Sequence, residues 1–235
     1  MTDRKRRIDL NADVGEGLPV ERDRAVMELM SSASIACGGH AGDIATMRRT
    51  LQIARELGLR AGAHPSYPDR ENFGRTSMAM GAQALVDCVG EQVSALQEAA
   101  LQTGTVVAYL KPHGALYNDA AVDPEVARAV ATVAGLLGLP LMLLASARAL
   151  DHLPGDGPPV IAEGFLDRGY RADGTLVPRG EPGALITDSS RAREQAVRLA
   201  QVVDSLCIHS DSLSAVSLAR AARESLEAAG MRIEA

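Results

Sequence analysis

Histidines and other polar residues follow four short apolar runs of the sequence. The run "VVAYL" leads into "KPHGALYND", and other apolar runs lead into "CGGHAGD", "HPSYPD" and "HSDS". Imidazole, carboxylate and ammonium groups gathered in one place can move protons and stabilise developing negative charge. A single histidine at such a position is most often a structural residue. Four of them at equivalent positions favour a shared cleft.

The elements that must position these residues alternate between strands and helices. We count about seven alternations, which is the pattern of βαβ units and a parallel sheet. The strand candidates are continuous apolar runs, as expected when helices cover the sheet. They are "RRIDLNADVG", "SIACGG", "LRAGAH", "VVAYL", "LPLMLLA", "PPVIAEGF" and "SLCIH". The sequence therefore predicts an α/β fold, a parallel (β/α) barrel of about seven strands.

Three helices carry clear boundary signals. Asp43 is a good N-cap for a helix that Gly58 ends, and Asp123 followed by Pro124 opens a later one. A long helix between them ends at Gly104. The segment from Asp151 to Arg193 differs, because it is rich in Gly, Pro, Asp and Arg. It reads as an extended loop system, and loops this long are usually functional.

Length and composition limit the class of protein. A chain of 235 residues lies within the range of one (β/α) barrel, and no linker divides it, so we predict a single domain over residues 1–235. A net charge of −6 argues against a nucleic-acid surface. No apolar run is long enough to span a membrane, and no secretory signal follows the basic N-terminus. The three cysteines are widely spaced, which favours reduced thiols and a cytoplasmic location.

The carboxyl ends of parallel strands meet at one mouth of a barrel, where active sites form. The polar residues expected there are Asn11, Asp13, His40, His64, Lys111, His113, Glu163, His209 and Asp211. Only His152, among the histidines, falls elsewhere. Pro112 biases the preceding lysine toward an extended conformation, so its side chain can be held toward the mouth. A Lys111→Met variant is therefore expected to fold and to lose activity.

Several longer stretches resemble the LamB/YcsF family. They are "IDLNADVGEG", "SIACGGHAGD", "GAHPSYPDRENFGR", "LKPHGALYN", "EGFLDRGYRADGTLVPR" and "PGALI", which occur in order along nearly the whole chain. The resemblance implies a distorted barrel like that of polysaccharide deacetylases and glycoside hydrolases. It also implies the A subunit of a 5-oxoprolinase, which cleaves 5-oxo-L-proline to L-glutamate, coupled to ATP hydrolysis to ADP and phosphate. Two further subunits, B and C, are the expected partners, and a homo-oligomer is an additional expectation.

The expected chemistry assigns roles to the polar residues. Hydrolysis of the ring amide needs a base for water, an acid for the departing nitrogen, and cations near phosphate charge. Asp13 is the candidate base, His64 or His113 the acid, and Lys111 the cation, which makes these four the predicted catalytic residues. The predicted substrate- or nucleotide-binding residues are Asn11, Glu16, His40, Arg75, Tyr117, Glu163, Arg168, Arg171, Arg179, His209 and Asp211.

Cofactor predictions rest on ligand types. No standard phosphate loop of the GxxxxGK[ST] kind occurs, so "CGGHAG" is read as a tight turn before it is read as a nucleotide site. Mg²⁺ accompanying ATP is the expected cofactor. A protein-held transition metal is the alternative, with ligands drawn from Asp13, His40, His64 and His113. Cys37 is expected in the barrel wall.

Two other functional classes stay open. One is a stand-alone metal-dependent deacetylase or amidohydrolase, and the other is a non-catalytic subunit that binds substrate for a partner. The chain also departs from the family at one place, where "HSD" puts Ser210 at a position that is usually glycine. Serine avoids backbone conformations that glycine permits, so the orientation of the His209 and Asp211 side chains is expected to be less well fixed. The segment before His209 is also shorter than usual.

Overall fold

A closed barrel of seven parallel strands, surrounded by helices, forms the centre of this computed structural model, which describes residues 6–146, 151, 153 and 155–235. The strands are β1 Arg7–Val14, β2 Ser32–Ala36, β3 Arg60–His64, β4 Val107–Leu110, β5 Leu141–Leu144, β6 Val160–Phe165, β7 Ser205–His209 and a short outer strand, β8 Arg232–Ile233. The helices are α1 Val20–Met27, α2 Ile44–Glu56, α3 Ala82–Thr103, α4 Gly114–Val122, α5 Pro124–Leu136, α6 Ser189–Leu199 and α7 Ala215–Ala228.

The strand order around the barrel follows the chain from β2 to β7, and β1 closes the ring between β7 and β2. Every pairing in the ring is parallel, so all seven carboxyl ends face one mouth. The outer strand β8 pairs with the beginning of β1, where Arg7 is the partner of Arg232. The predicted barrel of about seven parallel strands is confirmed.

Most helix boundaries agree with the sequence signals. The side chains of Asp43 and Asp123 cap α2 and α5 by accepting backbone hydrogen bonds, and Gly104 ends α3 in the left-handed conformation. Three helices were not predicted, namely α1, α4 and α6. The last of these begins at Ser189, inside the segment that was read as a loop, and β6 also crosses that segment. Between them, Arg168 and Tyr170 form isolated antiparallel bridges.

The first strand departs from the continuous apolar pattern expected of the sheet. Its apolar residues, such as Leu10, pack toward the helices, whereas Asp9, Asn11 and Asp13 alternate with them and point into the barrel. All three polar side chains are buried. Buried polar groups require partners, so the barrel interior must supply hydrogen bonds along its depth.

Two glycines permit close approaches near the barrel axis and mouth. A β-carbon on Gly62 would overlap the ring of Tyr109, so its absence makes room for that ring inside the barrel. Gly114 has φ of 59°, and a β-carbon there would collide with the carbonyl oxygen of Gly74. The loop after β3 therefore packs directly on the start of α4.

The cysteine predictions agree with the structure. Cys37, Cys88 and Cys207 are free thiols, and Cys37 is buried in the core beside the barrel wall. None of the helices that the structure describes is long and apolar enough to cross a membrane. His152 lies outside the described residues.

Candidate active site

The four histidines predicted to share a cleft lie together at the barrel mouth. His64 and His209 are the last residues of β3 and β7, and the other two follow β2 and β4. The rings of His40 and His113 stack in parallel with their centroids 3.6 Å apart. The ring of His64 stands perpendicular to that of His113 at 4.9 Å. Nε2 of His209 lies 3.9 Å from Oδ2 of Asp13.

Lys111 lies at the centre of the buried network. Its Nζ is 2.7 Å from Oδ1 of Asp13 and 2.8 Å from Oε1 of Glu163, and it also donates to Oδ1 of Asn11 at 3.1 Å. The side chain is 1% exposed. Burial alone would lower the pKa of this ammonium, but the Asp13 carboxylate, with Cys207 and Glu163 beside it, holds the pKa well above its ordinary value. Lys111 therefore stays charged and directed into the barrel.

Asp13 is held as a carboxylate by its cationic neighbours. Burial alone would raise the pKa of Asp13, but positive charge on His64 and Lys111 holds this pKa well below its ordinary value. Because a carboxyl group with a depressed pKa is a weak base, the predicted role of Asp13 in activating water fits this geometry poorly. Its clearer role is to hold Lys111.

Glu16 joins three of the histidines at the mouth. Its Oε1 lies 2.9 Å from Nε2 of His40, 3.2 Å from Nδ1 of His113 and 3.7 Å from Nε2 of His64. Burial alone would raise the pKa of Glu16, but hydrogen bonds with His113 and His40 hold this pKa well below its ordinary value. Burial lowers the pKa of His40 to about 4, so this ring is neutral at physiological pH.

The other two rings of this group respond differently to burial. Burial alone would lower the pKa of His64, but the Asp13 carboxylate outweighs it and raises the pKa. Burial lowers the pKa of His113, and the opposing effect of its hydrogen bond to the Glu16 carboxylate does not reverse the shift. Of these two rings, His64 is therefore the one that binds a proton more readily.

His209 forms a second acid–base unit with a residue that was not predicted. Its Nδ1 lies 2.9 Å from Oδ2 of Asp167, which also accepts from the backbone amide of the same histidine. Because a carboxylate accepts and does not donate, Nδ1 carries the proton, and Nε2 has a free lone pair. His209 lines the cavity at the mouth. Burial alone would raise the pKa of Asp167, but its interactions with His209, which include hydrogen bonds from Nδ1 and the backbone amide, hold this pKa below its ordinary value.

A cavity of about 490 Å³ opens at this end of the barrel. Asp13, His64, Lys111, His113 and His209 line it on the barrel side. The other cationic side chains that line it are Arg75, Arg168 and Arg179. Aromatic and apolar surface completes the wall, including Tyr117, Phe165 and Leu176.

The remaining predicted residues lie at different distances from the cavity. Asn11 lies deeper in the barrel, and Tyr117 donates to Oε2 of Glu163 at 2.7 Å, which fixes that carboxylate. Asp211 pairs with Arg75 at 3.0 Å and with Arg179 at 4.0 Å, and so aligns two cavity guanidiniums.

Arg171 is the member of the predicted set that is turned away. It contacts both carboxylate oxygens of Glu181, with its side chain half exposed, and it does not line the cavity.

Ser210 does not disturb the aim of its neighbours. Its buried hydroxyl donates to the backbone carbonyl of Asp13 at 2.6 Å, which ties the end of β7 to β1. Phe73 is the only non-glycine residue in the described part of the chain with positive φ, so Ser210 has a conformation that serine adopts readily. The backbone reason for expecting a less secure orientation of His209 and Asp211 therefore does not apply in this chain. The effect of the shorter preceding segment stays a prediction.

Two further residues at the mouth were missed from the sequence. Asp167 lies in the segment that the sequence predicts as an extended loop system, and its place after a strand that ends at Phe165 was the available signal. Phe73 has φ of 56°, and its carbonyl accepts a hydrogen bond from Nε2 of His113 at 3.0 Å. A non-glycine residue in this region of backbone space is strained, and such residues concentrate at functional sites. No sequence pattern signals it.

Comparison with known sequences identifies relatives along the whole barrel. The sequence model of the LamB/YcsF family matches residues 8–235. A protein of Streptomyces avermitilis, named as the A subunit of 5-oxoprolinase, is 44% identical over 247 aligned residues, which cover 97% of this chain and 99% of that protein. A protein of the same name from Neisseria meningitidis is 41% identical and covers 98% of this chain and 100% of its own.

Comparison with solved structures confirms the fold. A lactam utilization protein from Thermus thermophilus superimposes with a TM-score of 0.89 at 36% identity, covering 97% of this chain and 99% of that one. A family 4 carbohydrate esterase from Streptomyces lividans superimposes with a TM-score of 0.52 at 12% identity, covering 98% of this chain and 92% of that one. The second likeness concerns the fold alone, and it agrees with the predicted deacetylase-like barrel.

Proposed function

We propose, from the premise that this chain belongs to the LamB/YcsF family, that it is the A subunit of an ATP-dependent 5-oxoprolinase. In this reaction 5-oxo-L-proline and water give L-glutamate, and ATP gives ADP and phosphate. The names of the relatives suggest the substrate, and the residues of the barrel mouth suggest the chemistry. A lactam also appears in the name of the Thermus thermophilus protein.

The cavity carries the proposal because its walls match both ends of 5-oxoproline. Arg75 and Arg179 offer guanidinium groups that can grip the substrate carboxylate bidentately. Lys111 and His209 also line the cavity and can face the ring amide. A cavity of about 490 Å³ holds a five-membered lactam with room for a transferred phosphoryl group.

His209 is the best-placed base for water. Its Nε2 lone pair is free because Nδ1–H is donated to Asp167, so the ring has one defined tautomer. This arrangement of a carboxylate that orients an imidazole is the one that activates nucleophiles in many hydrolases. His64 and His113 remain the candidates for protonating the departing nitrogen.

ATP would drive the step by phosphorylating the amide oxygen, which turns a poor electrophile into a reactive one. Attack by water on that carbon gives a tetrahedral adduct, from which the ring nitrogen leaves with a proton and an acyl phosphate of glutamate remains. A second water then hydrolyses this acyl phosphate to glutamate and phosphate. Lys111 and the cavity arginines are placed to face the phosphate charge. Mg²⁺ with the nucleotide is part of this proposal.

The test is glutamate release from 5-oxoproline, measured with and without ATP, for this chain alone and with its B and C partners. We expect weak or no release by the chain alone and ATP-dependent release by the three subunits together. Full ATP-dependent turnover by the isolated chain would contradict the shared assignment. ATP-independent turnover that chelation abolishes would favour a stand-alone metal-dependent amidohydrolase. Binding of 5-oxoproline by the isolated chain, with turnover in the complex that persists when the acid–base residues of the cavity are replaced, would favour a non-catalytic subunit that binds substrate for a partner.

Two arginine variants give a matched control for the cavity. Arg179→Gln removes a guanidinium that lines the cavity and should raise KM for 5-oxoproline by about 10- to 100-fold, since hydrogen bonds to charged groups contribute about 1.5–3 kcal/mol. Arg171→Gln removes one that contacts Glu181 outside the cavity and should leave KM within about threefold. Equal effects of the two substitutions would argue against carboxylate binding by the cavity arginines.

A further inference from the structure

Four buried side chains at the mouth bring potential metal-ligand atoms together. Glu16, His40, His64 and His113 each offer one such atom, and these atoms all lie within 4.8 Å of one another. Asp13 is not a member of this group. Its Oδ1 accepts from Lys111, and its Oδ2 lies 3.5 Å from Nε2 of His64. Proximity alone does not define a metal site, so the direction of each lone pair decides whether one ion can be bound.

The protein backbone fixes the tautomers of two of the rings. Nδ1 of His64 lies 2.8 Å from the carbonyl oxygen of Lys111, and Nε2 of His113 lies 3.0 Å from the carbonyl oxygen of Phe73. A carbonyl oxygen only accepts, so both of these nitrogens carry protons. The remaining nitrogens, Nε2 of His64 and Nδ1 of His113, therefore present lone pairs in the neutral rings, and they face each other at 3.0 Å.

Two facing lone pairs repel unless a positive charge lies between them. Metal-ligating histidines commonly donate their second ring nitrogen to a backbone carbonyl, which is the arrangement of both His64 and His113. The two ring planes are nearly perpendicular, at 89°, so the lone pairs in those planes can converge on a single point. This pair has the form of two cis ligands of one ion.

Glu16 supplies the third ligand atom. Its Oε1 is 3.2 Å from Nδ1 of His113 and 3.7 Å from Nε2 of His64. With metal–ligand bonds of about 2.0–2.2 Å, ligand atoms at tetrahedral or octahedral angles lie about 2.8–3.6 Å apart. The three observed separations are close to this range. Within the described part of the chain, the ion-pair partners of Glu16 are all imidazoles, so no lysine or arginine neutralises it.

His40 belongs outside the triad. Its ring is parallel to that of His113 within 5°, and two parallel rings stacked 3.6 Å apart cannot both direct in-plane lone pairs at one ion. Its Nε2 instead lies 2.9 Å from Oε1 of Glu16, where it can donate and orient the carboxylate. Its buried Nδ1 has no hydrogen-bond partner, which fits a neutral ring held in place by packing.

We propose that Glu16, His64 and His113 bind one divalent transition-metal ion, such as Zn²⁺, as a two-histidine, one-carboxylate site, and that His40 positions Glu16. This ligand set suits Zn²⁺ or Fe²⁺ better than Mg²⁺, which prefers oxygen ligands. Two of the three ligands line the cavity, so the ion would present open coordination positions to a bound carbonyl or water. Metal binding by the isolated chain can be measured whatever reaction the cavity hosts.

The first experiment uses the unmodified chain. The protein is stripped with a chelator, the chelator is removed, and Zn²⁺, Co²⁺ or Mg²⁺ is titrated in while heat and the visible absorption of Co²⁺ are recorded. We expect one Zn²⁺ or Co²⁺ per chain, an increase in thermal stability, and binding of Mg²⁺ that is at least about 100-fold weaker. Absence of stoichiometric Zn²⁺ and Co²⁺ binding would overturn the proposal and leave a shared proton between the two rings as the occupant.

Variants then assign the ligands. Glu16→Gln and His113→Gln should each weaken Co²⁺ binding by more than about 100-fold, and His40→Gln should weaken it by about 10- to 100-fold. His209→Gln is the matched control, because it removes an imidazole at the same mouth that pairs with Asp167 and not with Glu16. Co²⁺ affinity equal to that of the unmodified chain in correctly folded Glu16→Gln or His113→Gln protein would exclude this triad. Loss in the His209→Gln control would also exclude it.

Discussion

The base and the mouth of the barrel interior are both polar, but they satisfy their polar groups differently. At the base, the Asp9 carboxylate accepts hydrogen bonds from the hydroxyls of Ser31, Ser32 and Ser205, so one acceptor group meets three donors. At the mouth, ring nitrogens of His64 and His113 face each other, and His40 has a buried nitrogen with no partner. Polar groups that are equally buried are therefore fully hydrogen-bonded at the base and incompletely hydrogen-bonded at the mouth.

This difference separates structural from chemical roles. Buried polar groups that are fully paired stabilise one arrangement, and groups that lack matched partners are retained where a ligand or reaction completes them. The base of the barrel resembles a structural network. The mouth resembles a site prepared for a cation, a proton or a substrate. Single substitutions test this division, from the largest expected effect to the smallest.

Lys111→Met should have the largest effect, and the effect should be on stability. The substitution leaves the Asp13 and Glu163 carboxylates buried without their ammonium partner, and breaking a buried pair in this way costs about 3–5 kcal/mol. The free energy of unfolding, measured with denaturant, reports it. Lys111→Met is thus a poor probe of catalysis, contrary to the expectation from sequence that this variant stays folded.

Two controls accompany the Lys111→Met measurement. Arg193→Met removes an exposed pair with Glu224 and should cost about 0.5 kcal/mol or less. The double variant Lys111→Met/Asp13→Asn should recover part of the lost stability, because one of the two uncompensated carboxylates is gone. A Lys111→Met protein as stable as Arg193→Met would show that the mouth network is not electrostatically coupled.

His209→Gln should reduce the rate and leave the fold intact. Loss of the proposed general base should lower kcat by about 100-fold or more, and the ring is at the cavity wall where glutamine can be accommodated. Glutamate release by the assembled subunits measures the rate.

Ser32→Ala is the control from the base of the barrel. It removes one hydroxyl donor to Asp9 and should lower the free energy of unfolding by about 1–3 kcal/mol, with kcat unchanged within about threefold. A large loss of rate in Ser32→Ala, or no loss in His209→Gln, would contradict the assignment of a structural role to the base and a chemical role to the mouth.

Asp23→Asn should change how stability depends on pH. Burial raises the pKa of Asp23 to about 6, one carboxylate oxygen accepts from the amide of Gly15, and the other has no partner. The pKa of Asp23 in the folded state exceeds its value in the unfolded state, which is about 4. The contribution of Asp23 to the free energy of unfolding is therefore fully present below about pH 4 and is lost as pH rises through about 6. Asparagine resembles the neutral acid and does not titrate.

The stability of Asp23→Asn relative to the parent should therefore increase by about 1–2 kcal/mol between about pH 4 and about pH 7. Unfolding curves at several pH values measure this difference. Ser77→Ala, an exposed hydroxyl that donates to Asp119, should show no pH-dependent difference of this kind. A constant difference between Asp23→Asn and parent across this interval would show that Asp23 is ionised in both states.

The barrel could be predicted from the sequence because its signals are local. Apolar runs, the capping residues Asp43 and Asp123, and the stop at Gly104 each depend on a few neighbouring residues. The helix α1 was missed because its N-cap is Pro19, which makes no side-chain hydrogen bond. The helix α4 begins at a glycine, and its sequence reads as a functional loop.

The position of the site could also be predicted, but its pairings could not. Parallel topology places the strand ends together, so the mouth histidines follow from the order of elements. Whether Asp13 contacts Lys111 or a histidine depends on distances across the barrel between residues that are far apart in the sequence. Asp167 orients His209, and the carbonyl of the strained Phe73 orients His113. Residues that only orient other side chains form no recognisable pattern in the sequence.

Ser210→Gly should have the smallest effect. The hydroxyl of Ser210 donates to the carbonyl of Asp13 at 2.6 Å, and its loss should cost about 1 kcal/mol together with some backbone entropy. The orientation of His209 is set by Asp167, which the substitution does not touch, so kcat should stay within about threefold. Unfolding curves and glutamate release by the assembled subunits measure the two quantities. A rate loss as large as that of His209→Gln would mean that the tie between β7 and β1 aims the imidazole, and Ser210 would then belong with the chemical residues of the mouth.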